Sequence, residues 1–351
     1  MSGQATDEAL TDVVVPIADA DSSAIREATA PRVARPLGRS FRTPRWHAVA
    51  ERAIALMALS AVAAIALIFV FIAREALPMV WEAGFKEEVR AIDLFAPREW
   101  RGYDEPVYIW QPVGATPKLN VVPLFVGSLK VTFLAMLFSI PLGVGCAVFV
   151  AMDAPRRVRE VVKPAVELLS GIPSVVLGFF ALMVIATWAQ ETFGFVFRLN
   201  VVVAAIGLSL TIVPVIFTIA EDALQAVPRS LSEAALALGA RRYQIALRVV
   251  IPAAIPGIAA GVILGFGRAI GETMIVLMAS GNAAVMDLWN LGSSVRTVTA
   301  TVAAELGEVA HGDPHWRILF LLGVLLFAVT FVLNLLGTIT IKRLQKKLTA
   351  T

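Results

Sequence analysis

Six long apolar runs alternate with polar and charged segments along this chain. An α-helix rises 1.5 Å per residue, so about 20 apolar residues cross the hydrocarbon core of a bilayer. Helix breakers such as Pro141, Pro173 and Pro214 are tolerated where neighbouring helices satisfy the freed carbonyl groups. We expect the fourth run to be short, because Pro214 interrupts it. The pattern predicts six membrane-spanning helices, over residues 53–73, 122–150, 166–188, 201–220, 256–280 and 318–341.

The composition is typical of a membrane protein. Of the 351 residues, 58% are hydrophobic and 16% are charged, whereas soluble domains are about 45–50% apolar and 25% charged. The net charge of +3 comes from basic residues scattered at the ends of apolar runs, which does not favour nucleic acid as a partner. The expected fold class is therefore an all-α polytopic membrane protein.

The basic residues between the runs predict the orientation. Lys and Arg are dense in residues 1–52, 151–165, 221–250 and 342–351 and sparser in the other connections. Because cytoplasmic loops carry the excess of Lys and Arg, we expect both termini in the cytoplasm. Residues 1–52 are predicted to be a disordered tail, acidic and then basic, whose basic part contacts lipid headgroups. Residues 342–351 form a second basic tail.

Residues 74–120 are predicted to be an extracytoplasmic segment. They contain charges of both signs together with Trp81, Trp100, Tyr108 and Trp110. Such aromatics anchor a short amphipathic cap at the membrane interface, and the same composition also fits a docking surface for an extracytoplasmic partner.

Arg268 and Glu272 stand in an otherwise apolar stretch, residues 251–280. A charge at mid-membrane costs about 2.5–3.5 kcal/mol on insertion scales, so intramembrane charges mark functional sites by default. Their i, i+4 spacing puts both on one helix face, where they can neutralise each other. In one interpretation that face looks into a polar pathway, with Thr273 adding a hydroxyl to the same site. In the other, the pair is static and fixes helix packing.

Small residues and helix breakers occur in the same stretch and in the third apolar run, residues 166–188. Gly257, Gly261 and Gly265 recur every fourth residue, a spacing that lets two helix backbones approach closely. The break at residues 171–174, Gly-Ile-Pro-Ser, either exposes backbone amides towards a pathway, as a half-helix end does, or is a packing kink.

Residues 221–250, the longest inner connection, carry a signature. The sequence runs Glu233-Ala234-Ala235, three residues, Gly239, nine residues and Val249. It predicts a short helix, a turn at Gly239 and a second short helix. The small side chains allow another protein to approach closely. This connection resembles the EAA loop of binding-protein-dependent ABC importer permeases, whose pattern is EAA-x3-G-x9-I-x-LP, and the resemblance implies a coupling helix that seats in a groove of a cytoplasmic ATPase.

Three further runs, residues 171–179, 268–274 and 296–303, resemble the PstC/PstA family of phosphate-specific permeases. The resemblance covers residues 121–341, and Met274 favours the PstC branch. It implies the six-helix transmembrane domain of a type I ABC importer in a bacterial cytoplasmic membrane. The implied partners are a homologous PstA-like permease, two PstB-like ATPases, a PstS-like extracytoplasmic binding protein, phosphate and membrane lipid. Arg268, Glu272 and Thr273, the candidate pathway residues, lie in the second of these runs.

No Gly-x4-Gly-Lys-[Ser/Thr] loop occurs, so we expect a transport subunit without an ATP site or any other cofactor, and ATP bound by the partner ATPase. The three histidines are too dispersed for a metal site. Two alternatives remain open for the function. One is a permease for another oxyanion, such as molybdate or phosphonate, and the other is a secondary carrier driven by an ion gradient.

Overall fold

The computed structural model describes residues 45–78, 91–100, 103–114, 116–284 and 286–349. The chain divides into two units, residues 1–63 and 64–351. The described part of the first unit is one helical stretch, residues 45–63. Most of the predicted N-terminal tail and the last two residues of the C-terminal tail lie outside the described residues.

Helices account for nearly all of the regular structure that is described. They are α1 (Arg45–Ala76), α2 (Val122–Val148), α3 (Arg156–Ser170), α4 (Ser174–Phe180), α5 (Ala186–Phe193), α6 (Val201–Gln225), α7 (Arg229–Ala237), α8 (Arg242–Ile245), α9 (Ile251–Gly271), α10 (Met274–Ala279), α11 (Val298–Glu305) and α12 (Pro314–Thr349). Wider π-helical turns at Phe149–Asp153, Ala181–Ile185 and Ala246–Val250 extend α2, join α4 to α5 and join α8 to α9. Strands β1 (Trp110–Gln111) and β2 (Lys118–Leu119) form an antiparallel pair with Trp110 opposite Leu119.

Six helical segments are long and apolar enough to cross a membrane. They are Val49–Ala76, Val122–Asp153, Ser174–Phe193, Val201–Gln225, Arg242–Gly271 and Pro314–Arg343. The prediction of an all-α polytopic membrane protein is confirmed.

The third span begins later than predicted. Residues 166–170 belong to α3, a separate amphipathic helix without a buried residue, and the span itself is Ser174–Phe193. Pro173 has no N–H to continue a helical ladder and its ring clashes with the preceding turn, so the chain restarts after it. The sequence pattern was misleading because the apolar stripe of α3 runs directly into the apolar span.

The fourth and fifth spans also differ from the prediction. The fourth, α6, has 25 residues and continues past Pro214, because its neighbours enclose that part of the helix. The Thr218 hydroxyl donates to the Pro214 carbonyl at 2.9 Å. The fifth was expected to run to residue 280, but α9 ends at Gly271 and a short α10 follows after Glu272 and Thr273.

Helix α6 forms the centre of the bundle, with α2 and α9 packed along it. Leu208, Ile212, Ile216 and Phe217 are each at most 1% exposed. A helix that is apolar on all sides is either buried in protein or spans a membrane, and α6 is the most deeply buried of the six described spans. The Asn200 side chain begins α6 by accepting a hydrogen bond from the Val203 N–H at 3.0 Å.

The two ends of the bundle differ. We call the end that carries α7 and α8 the loop end, and the opposite end, where β1 and β2 lie, the cap end. At the cap end, Leu94, Trp110 and Leu119 form a buried cluster with residues of α2, α11 and α12. Trp110 is 3% exposed, so it is part of a packed cap and not the interfacial anchor that the sequence suggested.

Candidate functional site

Arg268 lies in the last turn of α9 and is exposed. It lines a groove of about 800 Å³ between α9 and α12. Gly267, Gly271 and Gly323 also line this groove, and their missing side chains leave room beside the guanidinium group. We call this the arginine groove.

The depth of Arg268 follows from the packing of α9. A side chain at Gly257 would collide with Ala223, near the loop end of α6. Arg268 is eleven residues farther along the helix, which corresponds to about 16 Å. The hydrocarbon core of a bilayer is about 30 Å thick, so Arg268 lies near its middle if the level of Ala223 marks one face of that core.

Glu272 does not pair with Arg268, and the predicted i, i+4 pair is wrong. Helix α9 stops at Gly271, and Glu272 has an extended backbone, with φ −69° and ψ 133°. The spacing of four residues therefore no longer places the two side chains on one face. The Glu272 carboxylate instead accepts from the Thr273 N–H at 3.1 Å, and the Glu272 carbonyl accepts from the Thr299 hydroxyl at 2.9 Å.

Thr273 lines a second groove, of about 600 Å³, together with Thr299 and Val302. Gly323 and Leu326 line both grooves. The two grooves are therefore adjacent on the same side of the bundle, with Arg268 lining one and Thr273 lining the other. Of the three residues predicted for the pathway, Arg268 and Thr273 thus line the grooves and Glu272 lines neither, and no ion pair among the described residues joins the three.

The glycine stripe of α9 faces α6. A Cβ at Gly261 would lie 3.1 Å from Ile219 Cβ, and one at Gly265 would lie 3.0 Å from Ile216 Cγ1. These distances are tighter than ordinary Cβ contacts, so Ile219 and Ile216 would have to shift to admit a side chain. The stripe is thus the surface on which α9 packs against the central helix, and its three glycines do not line the groove.

The signature loop projects from the loop end. Glu233 and Ala234 are exposed on α7, while Ala235 packs against the buried cluster formed by the ends of α2, α6 and α9. Gly239 has φ +79°, and its N–H donates to Leu236, while the Ala240 N–H donates to Ala235. This Schellman arrangement needs a left-handed residue after the helix, which glycine adopts without strain.

The loop presents an apolar surface beside Glu233. Leu231, Leu236 and Leu238 are 44%, 54% and 89% exposed. One side of the loop is thus seated on the bundle and the other carries uncovered leucines, an arrangement that fits a partner protein.

Sequence reasoning missed a buried ion pair at the loop end. Residues 221–225 were assigned to the inner connection but belong to α6, and Glu221 is completely buried. Lys163 of α3 donates to its carboxylate at 2.7 Å, and Gln225 donates to the other oxygen. The hydrogen bond to Glu221 raises the pKa of Lys163 above its ordinary value of 10.5. The pair ties the amphipathic helix α3 to the central helix.

Two polar contacts at the cap end were also missed. Glu305 accepts from Arg296 at 2.7 Å, from His315 at 2.8 Å and from the Trp110 indole at 3.1 Å. Lys130 of α2 donates to the Asp287 and Asn290 carbonyls, both at 2.7 Å. Each contact joins segments distant in sequence, so spacing carried no signal for it.

Six helical segments able to span a membrane, a groove beside an arginine and a projecting loop with uncovered leucines are the features expected of a multi-span membrane permease. Residues 139–349 match the family described as "Binding-protein-dependent transport system inner membrane component", and the chain belongs to that family.

Individual relatives agree with this assignment. The chain is 35% identical over 227 residues to the "Probable ABC transporter permease protein YqgH" of Bacillus subtilis (strain 168), a match covering 65% of this chain and 73% of that protein. It is 33% identical over 257 residues to the "Phosphate transport system permease protein PstC" of Mesorhizobium japonicum, covering 68% and 77%.

Solved structures support the fold. A chain of a bacterial ABC transporter involved in the import of the acidic polysaccharide alginate matches with a TM-score of 0.57 at 13% identity, over 86% of this chain and 99% of that one. The predicted fold class, the transmembrane domain of a type I ABC importer permease, is confirmed.

Proposed function

We propose that this chain is the permease subunit through which an ATP-driven importer carries inorganic phosphate across a bacterial cytoplasmic membrane. The observation that carries the proposal is Arg268, an exposed guanidinium group that lines the groove between α9 and α12. Arginine stays charged at every accessible pH, and its planar fork of donors matches the oxygens of phosphate. The name of the relative from Mesorhizobium japonicum favours the same solute.

The partners follow from the two open surfaces. The arginine groove is open along one side of the bundle, and a homologous PstA-like permease would close it into a path. The leucines and Glu233 on α7 would seat in a cytoplasmic PstB-like ATPase, which binds the ATP. A PstS-like binding protein would deliver phosphate at the cap end. In this arrangement the loop end and both termini face the cytoplasm.

Transport would proceed by alternating exposure of the groove. Closure of two ATPases on ATP pushes the signature loop, and the two permeases change from an inward-facing to an outward-facing arrangement. Phosphate released at the cap end then passes Thr273 and Arg268. Because Arg268 is not held by Glu272, its donors are free for the solute, and a single charge holds an anion weakly enough for it to leave.

The test uses the assembled complex of permeases, ATPases and binding protein in proteoliposomes. We expect uptake of labelled inorganic phosphate that requires ATP and is accompanied by phosphate-dependent ATP hydrolysis. Uptake of molybdate or phosphonate, without uptake of phosphate, would assign another oxyanion as the solute. Uptake that ignores ATP and follows a proton gradient would overturn the proposal in favour of a secondary carrier.

A further inference from the structure

One face of α12 carries polar side chains at every fourth residue. Thr330, Asn334 and Thr338 all line the arginine groove. Residues four apart lie above one another on a helix, so these three form a polar ladder along the wall opposite α9. Polar groups within a span are costly in hydrocarbon, and they persist where they meet partners or line a water-filled path.

Asn334 is the member of the ladder with free donors. The Thr330 and Thr338 hydroxyls donate to carbonyls of α12 itself, those of Leu326 and Asn334, each at 2.9 Å. The Asn334 carboxamide makes no hydrogen bond with any part of the chain that the structure describes, and the residue is exposed. An amide offers two N–H donors and a carbonyl acceptor, and all of these are available to a molecule in the groove.

The position of Asn334 places this amide beside Arg268. A Cβ built on Gly267 would lie 3.2 Å from Asn334 Oδ1 and 3.4 Å from Nδ2. The carboxamide therefore lies against the backbone of the residue that precedes Arg268. Asn334 is also eight residues, about 12 Å, from Lys342, which matches mid-membrane depth if Lys342 marks the membrane surface.

We infer that Asn334 and Arg268 together form the contact site for a protonated tetrahedral oxyanion. This inference rests on the proposed function and names the second residue of the same site. Arg268 supplies the charge. The Asn334 N–H donates to an unprotonated oxygen, and its carbonyl accepts from the hydroxyl that hydrogen phosphate still carries at neutral pH.

The acceptor gives the site a basis for selection. Sulfate and molybdate carry no hydroxyl at neutral pH, so they would leave Asn334 Oδ1 without a partner. A site that leaves a polar group unpaired rejects the ligand that lacks the matching group. A neutral amide also adds recognition without a second charge, and thus without trapping the anion.

The experiment compares Asn334→Ala and Asn334→Asp with wild type in the full complex, reconstituted in proteoliposomes and supplied with saturating binding protein. Asn334→Ala should lower the uptake of labelled inorganic phosphate roughly tenfold, the expected loss for one hydrogen bond to a charged group. Uptake per ATP hydrolysed should fall by a similar factor. Asn334→Asp, which adds a negative charge beside the anion, should lower uptake further. Because the label is inorganic phosphate, lipid headgroups near the groove do not contribute to the signal.

The matched control is Thr340→Val, which removes an exposed polar group from the same helix at a position that does not line the groove. It should transport normally. Unchanged uptake in Asn334→Ala would overturn the inference, and so would loss of the partner permease on purification, since Asn334 would then be an assembly contact. If wild type carries no phosphate, the proposed function itself fails. If wild type transports phosphate and Asn334→Ala transports it equally well, the proposed function stands and only the inference about Asn334 fails.

Discussion

At the scale of single residues, several charged groups of the described chain make defined contacts inside the bundle. Lys130 donates hydrogen bonds to the Asp287 and Asn290 carbonyls, and Glu221 forms an ion pair with Lys163. Glu305 accepts hydrogen bonds from three side chains. Arg268 differs from these, because it is exposed in a groove and is not joined to another described residue by an ion pair. Since an unpaired charge is costly at this depth, solute or water must solvate it.

Replacement of Arg268 tests this role. Arg268→Gln should reduce phosphate uptake by the complex about 10- to 100-fold, because hydrogen bonds to charged groups contribute about 1.5–3 kcal/mol each. Arg268→Lys keeps the charge but loses the planar fork, so its uptake should be intermediate. The control is Arg157→Gln, an exposed arginine on α3. Normal uptake by Arg268→Gln, with assembly intact, would reduce Arg268 to a packing residue.

The Lys163–Glu221 pair makes a prediction about stability. Glu221→Gln removes one partner of an ion pair whose carboxylate is buried, and because Lys163 is one-third exposed we expect a loss of only about 1–2 kcal/mol. The double variant Lys163→Met/Glu221→Gln should lose less than the sum of the single variants. Thermal unfolding of the purified complex measures both.

The pKa of Lys163 fixes the pH range of this effect. Because that pKa is raised above 10.5 in the folded protein, the stabilisation is fully present below 10.5 and is lost as the pH rises through the folded-state value. The difference between wild type and Glu221→Gln should therefore stay constant from about pH 6 to 9. A difference that disappears within this range would show that Lys163 is not the group involved.

At the scale of the elements, α9 serves two surfaces at once. Its glycine stripe packs on α6, and Arg268, about one turn beyond Gly265 on the same side of the helix, lines the edge of the groove. Gly261→Leu should lower the melting temperature of the complex, since overpacking of a close contact costs about 1–3 kcal/mol or more. Gly145→Leu, where a Cβ meets nothing within 4 Å, is the matched control and should leave the melting temperature unchanged.

Helix α7 carries the coupling prediction. Glu233→Ala should leave the fold intact, because Glu233 is exposed, but it should weaken ATPase binding. Lower co-purification of the ATPase, or ATP hydrolysis that no longer responds to binding protein, would be the observed effect. Glu191→Ala, which removes an exposed glutamate at the cap end, should change neither quantity. Equal ATPase binding and coupling in wild type and Glu233→Ala would exclude this role.

At the scale of the whole molecule, the signature loop and the arginine groove both involve α9. The loop is seated on the ends of α2, α6 and α9, and the groove opens between α9 and α12. A push on the loop thus acts on the same helix that carries Arg268. This continuity is a physical route by which a partner at the loop end could alter the groove.

The sequence by itself determined the class, the number of spans and the form of the loop. The length of an apolar run decides whether a helix can cross a bilayer. Local backbone sterics decide where the chain adopts a left-handed conformation, as at Gly239. Both properties depend on residues close together along the chain, so they can be predicted from the periodicity and composition of the sequence.

Only the tertiary structure decided where α9 ends, which charges pair and which polar groups face the groove. Gly271 ends the helix in a setting where the Thr299 hydroxyl binds the Glu272 carbonyl, and Thr299 is distant in sequence. Glu221 is buried because α3 folds back to bring Lys163 to it, and Asn334 matters because α12 lies against Gly267. Each of these outcomes depends on contacts between distant segments, whose energies no local pattern records.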